Sequence, residues 1–156
     1  KPMPMTRLSQ ELKEKPIVSI TNGEIIATIS DLLINPQTRE VAALTFSKGG
    51  LLNRKVKVIP RSQVHVWGQD VILVSGPEVF AEKETLPCHD QCLSVGSQIK
   101  GREVVGQDGT RIGELNDVLV NDQGHLVGYD LSKVDIEGAM KQIEGTAKNM
   151  GIKVVE

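Results

Sequence analysis

The chain has 156 residues, 39% hydrophobic and 24% charged, with a formal net charge of −2. This is a globular composition. Its acidic balance argues against a nucleic-acid binder, which needs a basic stripe to displace counterions from phosphates. No apolar run approaches the ~20 residues of a membrane span and no signal-peptide core is visible. Two cysteines are too few for a disulfide framework, so a cytoplasmic setting is expected. The first residue is Lys1, consistent with a trimmed N-terminus.

Residues 1–15 carry Pro2, Pro4 and mixed polarity and read as an N-terminal arm with a short helical turn. From Ile17 the texture is that of strands. An apolar run, IVSI, meets the Asn22-Gly23 pair, where both residues tolerate positive φ and favour a hairpin. The long run EIIATISDLLI follows, then a turn set by Pro36, then VAALTFS, whose alternation places Ala42, Leu44 and Phe46 on one face. A glycine-bearing loop leads to VKVIP, with Lys57 between inward Val56 and Val58 and with Pro60 ending the strand for want of an N–H. SQVHVWGQDVILV supplies two last strands, in which Trp67 or His65 fills the mouth of the barrel. Only four aromatic residues exist, Phe46, Trp67, Phe80 and Tyr129, so the core must be aliphatic, and β-branched side chains suit half-buried sheets. About six short strands within roughly 60 residues suggest a small barrel, whose closure also hides sheet edges. Residues 77–98 then read as a linker, perturbed by Pro77, Pro87 and the CHDQC cluster.

The pattern returns after the linker. Asp31 falls on Asp117, Gly23 on Gly109, Ile26 on Ile112, Leu33 on Leu119 and Asn35 on Asn121, and Val18 is set against Val104. This is an internal repeat. Its end is imperfect: only Gly68 with Gly151, and Val71-Ile72 with Val154-Val155, still correspond, and Pro60 has no counterpart. The first module is expected over residues 16–76 and the second, incomplete or divergent, over residues 99–156.

The repeated core, with Gly23, Ile26, Ala27, Ile29, Asp31 and Leu33 in one copy and Gly109, Ile112, Gly113, Leu115, Asp117 and Leu119 in the other, resembles the PRC-barrel, named for the photosynthetic reaction centre. The segment VIPRSQVHVWGQDVILV is similar to the family's closing segment. The resemblance implies a mainly β chain of two small antiparallel β-barrel modules. It also implies an adaptor role, since such barrels hold partners in the reaction-centre H subunit and in a ribosome maturation factor. Gly23, Asp31, Pro60, Gly109 and Asp117 are then residues of the structural motif.

Little chemistry stands beside this pattern. Two carboxylates can share catalysis only across a common cleft, whereas Asp31 and Asp117 lie in separate modules. Each is expected to accept backbone N–H groups at a bulge or strand end. Cys88, His89 and Cys92 could supply part of a zinc site, although a structural site wants four ligands; exposed thiols or a short disulfide are the alternatives. His125 lies in a turn and is expected to be solvated. Lys48, Leu51, Leu52, Arg54, Lys55 and Lys57 place two leucines among basic residues, either folded over the barrel end or anchoring a partner. Trp67 joins them as a candidate contact.

No phosphate-binding loop, nucleophile elbow or metalloprotease signature occurs. The sequence therefore reads as a non-enzymatic protein-interaction adaptor, whose partner is another protein and whose modules pair within the chain or between copies. A ribosome- or RNA-associated assembly factor and a metal- or redox-responsive element at Cys88 and Cys92 are the alternatives. No cofactor is expected apart from that zinc. A barrel of ~60 residues buries only about 60% of its unfolded surface, which is why association of the halves is expected.

Overall fold

The aliphatic runs form strands, and turn residues with left-handed backbone close the hairpins between them. A computed structural model describes residues 5–47 and 57–134. β1 (Thr6–Leu8) and the single helical turn α1 (Ser9–Leu12) lead into the first module. Its six strands are β2 (Pro16–Ser19), β3 (Ile25–Asn35), β4 (Glu40–Ser47), β5 (Lys57–Pro60), β6 (Val64–Trp67) and β7 (Ile72–Val74). They curl in the order β6-β7-β2-β3-β4-β5, with β2 and β7 parallel and the other neighbours antiparallel. Gly23 at φ 72° and Gly109 at φ 85° make the first hairpin turn of each copy, a conformation that L side chains rarely adopt. Pro60 ends β5 and opens a 3-10 turn over Arg61–Gln63.

Two segments that the sequence presents as an arm and a linker are structural parts of the modules. In the linker, β8 (Ala81–Glu82) pairs with β5, and β9 (Leu93–Ser94) pairs with β3 through Leu33–Ser94 and Ile34–Leu93. The second module follows with β10 (Glu103–Val105), β11 (Arg111–Asn121) and β12 (Leu126–Ser132), both outer strands antiparallel to β11. β1 is the fourth strand of this second sheet: Arg7 pairs with Val120 and Leu8 with Leu119. The chain therefore exchanges its lead-in segments. The one before the first module lies on the long strand of the second, and the one before the second lies on the long strand of the first.

The exchange obeys an approximate two-fold. Val41 N–H donates to Gly124 O at 2.8 Å and Leu126 N–H donates to Arg39 O at 3.1 Å, so two equivalent hairpin tips bond reciprocally around an antiparallel bridge between Glu40 and His125. One correction to the repeat follows. The lead-in turn α1 closes with Lys13 N–H on Ser9 O, but its counterpart over Val95–Ile99 holds one residue more and closes with Lys100 N–H on Val95 O, a π turn. The extra residue shifts the register, so Val104 occupies the place of Ile17 rather than Val18. Ile17 pairs with Ala27 as Val104 pairs with Gly113, and both Ile17 and Val104 are fully buried. A β10–β11 hairpin one residue shorter restores the alignment at Gly109.

One aliphatic core runs through both modules: Ile17, Leu32, Ile59 and Ile72 of the first belong to the same cluster as Val104, Ile112, Leu115 and Val118 of the second. A smaller cluster lies outside the first sheet, where Leu86, Cys88 and Cys92 of the linker cover Leu33, Ala43 and Val58. It changes two expectations about facing. Val58 points to this outer cluster while its neighbour Ile59 fills the barrel, so β5 is buried on both faces. The bulge where Leu33 and Ile34 face Ala43 and Val41 changes the phase of β4, so Ala42 packs with the outer cluster while Leu44 and Phe46 pack with the main core.

Arg7 rivets the two modules. From β1, on the second sheet, its Nη1 donates to Gly68 O at 2.5 Å and its Nη2 to Trp67 O at 3.2 Å, in the β6–β7 turn of the first. Burial lowers its pKa from the usual arginine value, against the pull of the Glu11 and Asp122 carboxylates. An Arg7→Met variant keeps the stem and strands those carbonyls. Charged hydrogen bonds of this kind carry about 1.5–3 kcal/mol. The expected result in urea unfolding is a loss of about 2–3 kcal/mol, in a single transition for both modules; two separate transitions in the wild type would refute a shared core.

Candidate functional site

Asp31 and Asp117 are each turned into a structural bolt. A bulge precedes each of them, at the steps Ile29/Asp31 and Leu115/Asp117. This frees each carboxylate to receive the N–H of the next residue, Leu32 at 2.8 Å and Val118 at 2.7 Å. The second oxygen of each reaches the exchanged lead-in: Gly96 N–H donates to Asp31 Oδ2 at 3.0 Å and Gln10 N–H donates to Asp117 Oδ2 at 3.0 Å. Ser9 Oγ also donates to Asp117 Oδ1, while Lys13 Nζ stands 3.9 Å from Asp31 Oδ1. The two carboxylates thus hold the two crossings of the chain, one in each half, and do not face a common cleft. Gly23 and Gly109 form hairpin turns and Pro60 pairs with Ala43 at the end of β5.

Cys88 and Cys92 are joined in a disulfide. This corrects the metal reading, because a sulfur bonded to sulfur offers no thiolate to a cation. Both half-cystines are buried, 5% exposed, in the outer cluster, and Cys92 N–H donates to Cys88 O at 2.7 Å across the same turn. His89 points away from them, its Nδ1 3.1 Å from Leu86 O and its Nε2 against Asp90. Among the described residues no three His, Cys, Asp or Glu side chains converge as a metal site.

The basic loop lies largely outside the described residues: Lys48, Leu51, Leu52, Arg54 and Lys55 fall there. Lys57 is exposed at the start of β5, paired with Glu82. Trp67 is not a surface contact. It is 6% exposed, and its indole and the Arg61 stem close over Gly124, where an added Cβ would stand 2.6 Å from Arg61 Cδ and 2.9 Å from Trp67 Cζ2. Trp67 rather than His65 fills the core, because Trp67 shares the inward row of Ile72 and Ile17, while His65 is exposed. The His125 side chain is 41% exposed, as its turn suggests, and also stands at the intermodule bridge with Nε2 3.5 Å from Glu40 Oε1; Arg61 Nη2 meets Glu40 Oε2 at 3.2 Å.

An outer feature escaped the sequence reading. Cross-strand partners share a face of a sheet, and the registers Val66–Leu73, Leu73–Val18 and Val18–Ile25 set four aliphatic side chains in one row across β6, β7, β2 and β3. The row lies on the face opposite the buried row of Trp67, Ile72, Ile17 and Ala27. Ile25 is 66% exposed and Val66 46% exposed at its two ends, and Val18 and Leu73 are half-buried between them. The available clue was the continuity of IVSI, EII and VILV, which are apolar on both faces where a one-sided strand alternates.

The carboxylate bolts predict an order of stability losses. Asp117 is 3% exposed and accepts three donors, whereas the Asp31 side chain is 19% exposed and accepts two beside Lys13. Asp117→Ala should therefore cost more than Asp31→Ala, roughly 2–4 against 1–2 kcal/mol in chemical unfolding, since only at Asp117 are buried donors left unpaired. Equal losses would contradict these unequal environments.

Among the described residues no helix is long and apolar enough to cross a membrane. Comparison with families of known proteins matches residues 6–80 and 95–143 to the PRC-barrel domain. The first matched stretch takes in β1 and α1, and the second opens at the π turn that is the counterpart of α1. A mainly β, twice-repeated, curled-sheet architecture and a match over most of its length make this chain a member of the PRC-barrel domain family.

Proposed function

We propose that the protein is a non-enzymatic interaction module, a rigid pair of barrels that docks another protein on its outer face. The observation that carries this reading is the row of Ile25, Val18, Leu73 and Val66. A barrel does not need apolar side chains on its solvent face, and a contiguous apolar row with polar surroundings is how contact patches commonly look. The neighbouring Ile20, 51% exposed, extends the patch past the end of β2. The use of the two repeated carboxylates as bolts supports the absence of a reaction, because the groups best suited to acid–base work are already bonded within the fold. The basic loop with Leu51 and Leu52 is part of the same proposal as a second contact.

The compartment is part of the proposal too. The cytoplasm expected from composition suits the dithiol form of Cys88 and Cys92, whereas their disulfide belongs to an oxidising setting. Alkylation at the moment of lysis, followed by mass measurement, reads which form the cell keeps.

Ile25→Lys with Val66→Lys should leave the unfolding transition within about 0.5 kcal/mol of wild type, as surface substitutions generally do. The variant should lose the proteins that the wild type retains on cross-linking in extract, or the wild type's self-association in sedimentation. Unchanged cross-links and unchanged sedimentation would end the outer-row reading. Replacing Leu51 and Leu52 with Asp tests the loop separately, and specific partners retained in full would remove it from the contact surface.

A further inference from the structure

The linker lies over the outer face of the first sheet on very few anchors. It enters by β8 on β5 and leaves by β9 on β3. Between these pairings, among the described residues, the backbone bonds of residues 83–92 are turns inside the linker itself. Leu86 N–H meets Lys83 O, His89 N–H meets Leu86 O, and Gln91 and Cys92 N–H both meet Cys88 O. Side chains therefore seat this stretch on the sheet. Lys83, Glu84, Thr85, His89, Asp90 and Gln91 are polar, and Pro87 is exposed. What packs on Leu33, Ala43 and Val58 is Leu86 and the Cys88–Cys92 disulfide.

The place of this disulfide in the chain decides what it can hold. Its half-cystines are four residues apart. A cross-link stabilises through the loop it closes, and long loops gain most; this one joins neither strand to strand nor module to module. The chain has only these two cysteines, so the second module carries no equivalent. The bond acts where it lies. While it is closed, residues 88–92 keep a ring even when the stretch lifts off, and few lifted conformations compete with the seated one. Once it is open the lifted state regains that freedom, whereas the seated state gains no new contact. The bond is spanned by the exposed turn of residues 89–91, so a reductant reaches it by local opening of that turn and not by unfolding of a barrel.

We infer that the Cys88–Cys92 disulfide is a redox clasp. Oxidised, it seats the linker over Leu33, Ala43 and Val58; reduced by a dithiol, it lets residues 83–92 lift and uncovers that apolar face. In the exchange a thiolate of the dithiol attacks one cystine sulfur, and the reductant's second thiolate then resolves the mixed disulfide. Two electrons and two protons end on Cys88 and Cys92 as thiols, and the reductant leaves as its own disulfide. The lift stops at β9, where Leu33–Ser94 and Ile34–Leu93 pair and Gly96 N–H bonds Asp31. The clasp lies over β3, β4 and β5, apart from the row across β6, β7, β2 and the start of β3. It does not rest on the outer-row reading, and either can fail alone.

Hydrogen exchange of the full chain, first oxidised and then reduced with dithiothreitol, tests the clasp. Amides of residues 83–92 should exchange about tenfold or more faster after reduction, as freeing a short ring implies, while those of β3, β4 and β11 change by less than about twofold. Reoxidation with glutathione disulfide should restore the slow rate. Cys88→Ala with Cys92→Ala should exchange at the fast rate with or without dithiothreitol. Should that variant fail to fold, the oxidised and reduced wild type still decide. Equal linker rates in the two forms, acceleration spread alike over every strand, or failure of the disulfide to form with glutathione disulfide would overturn the inference.

Discussion

The architecture depends on a repeated aspartate that reaches across the chain to the lead-in of the other half. In each half a bulge in the long strand turns a carboxylate toward that lead-in, where it accepts a backbone N–H. This bond, together with the pairing of β1 on β11 and of β9 on β3, fixes where each lead-in lies. Once both crossings are made, neither module can withdraw without exposing a carboxylate, a strand and part of the common core together. A small barrel that would be marginal alone gains burial from its twin, and the exchange is the geometry by which that burial is obtained.

The exchange also explains how a repeat tolerates uneven copies. The second lead-in turn holds one residue more than the first, and a helical turn can absorb this by widening from an α to a π closure. The residue gained there is removed again in the next hairpin, so the long strands regain equivalent positions before Gly109. The fixed points are the groups that bond across the two halves. Asp31 and Asp117, Gly96 and Gln10, and the tips at Glu40 and His125 stay in register while the segments between them vary.

Much of this was legible in the residues. The strands of the first module, the hairpin glycines, the stop at Pro60 and the structural use of both aspartates follow from local rules of backbone and alternation. The remainder was hidden because it depends on contacts far apart in sequence. Residues 6–12 read as an arm because a three-residue strand has no periodicity to announce its partner, and nothing local says that Thr6 meets Asn121. Val58 and Ala42 were assigned to the wrong face because alternation assumes an unbulged strand with a single covered side. For the CHDQC cluster spacing alone left part of a metal site, exposed thiols and a short disulfide open, and the turn at Cys88 and Cys92 brings the two sulfurs to each other. The outer row of Ile25, Val18, Leu73 and Val66 spans four strands and exists only once their registers are known.

The bridge between Glu40 and His125 has a consequence for any single-module relative that assembled in pairs by the same route. A residue close to a true dyad must face its own copy, so a carboxylate placed there would oppose a carboxylate, and an imidazole an imidazole. Holding both halves in one polypeptide lifts that requirement. Glu40 instead confronts an imidazole, flanked by Arg61 from its own module, and each side of the axis is free to acquire unlike groups: a glycine, Gly124, covered by an indole on one, and Arg39 on the other.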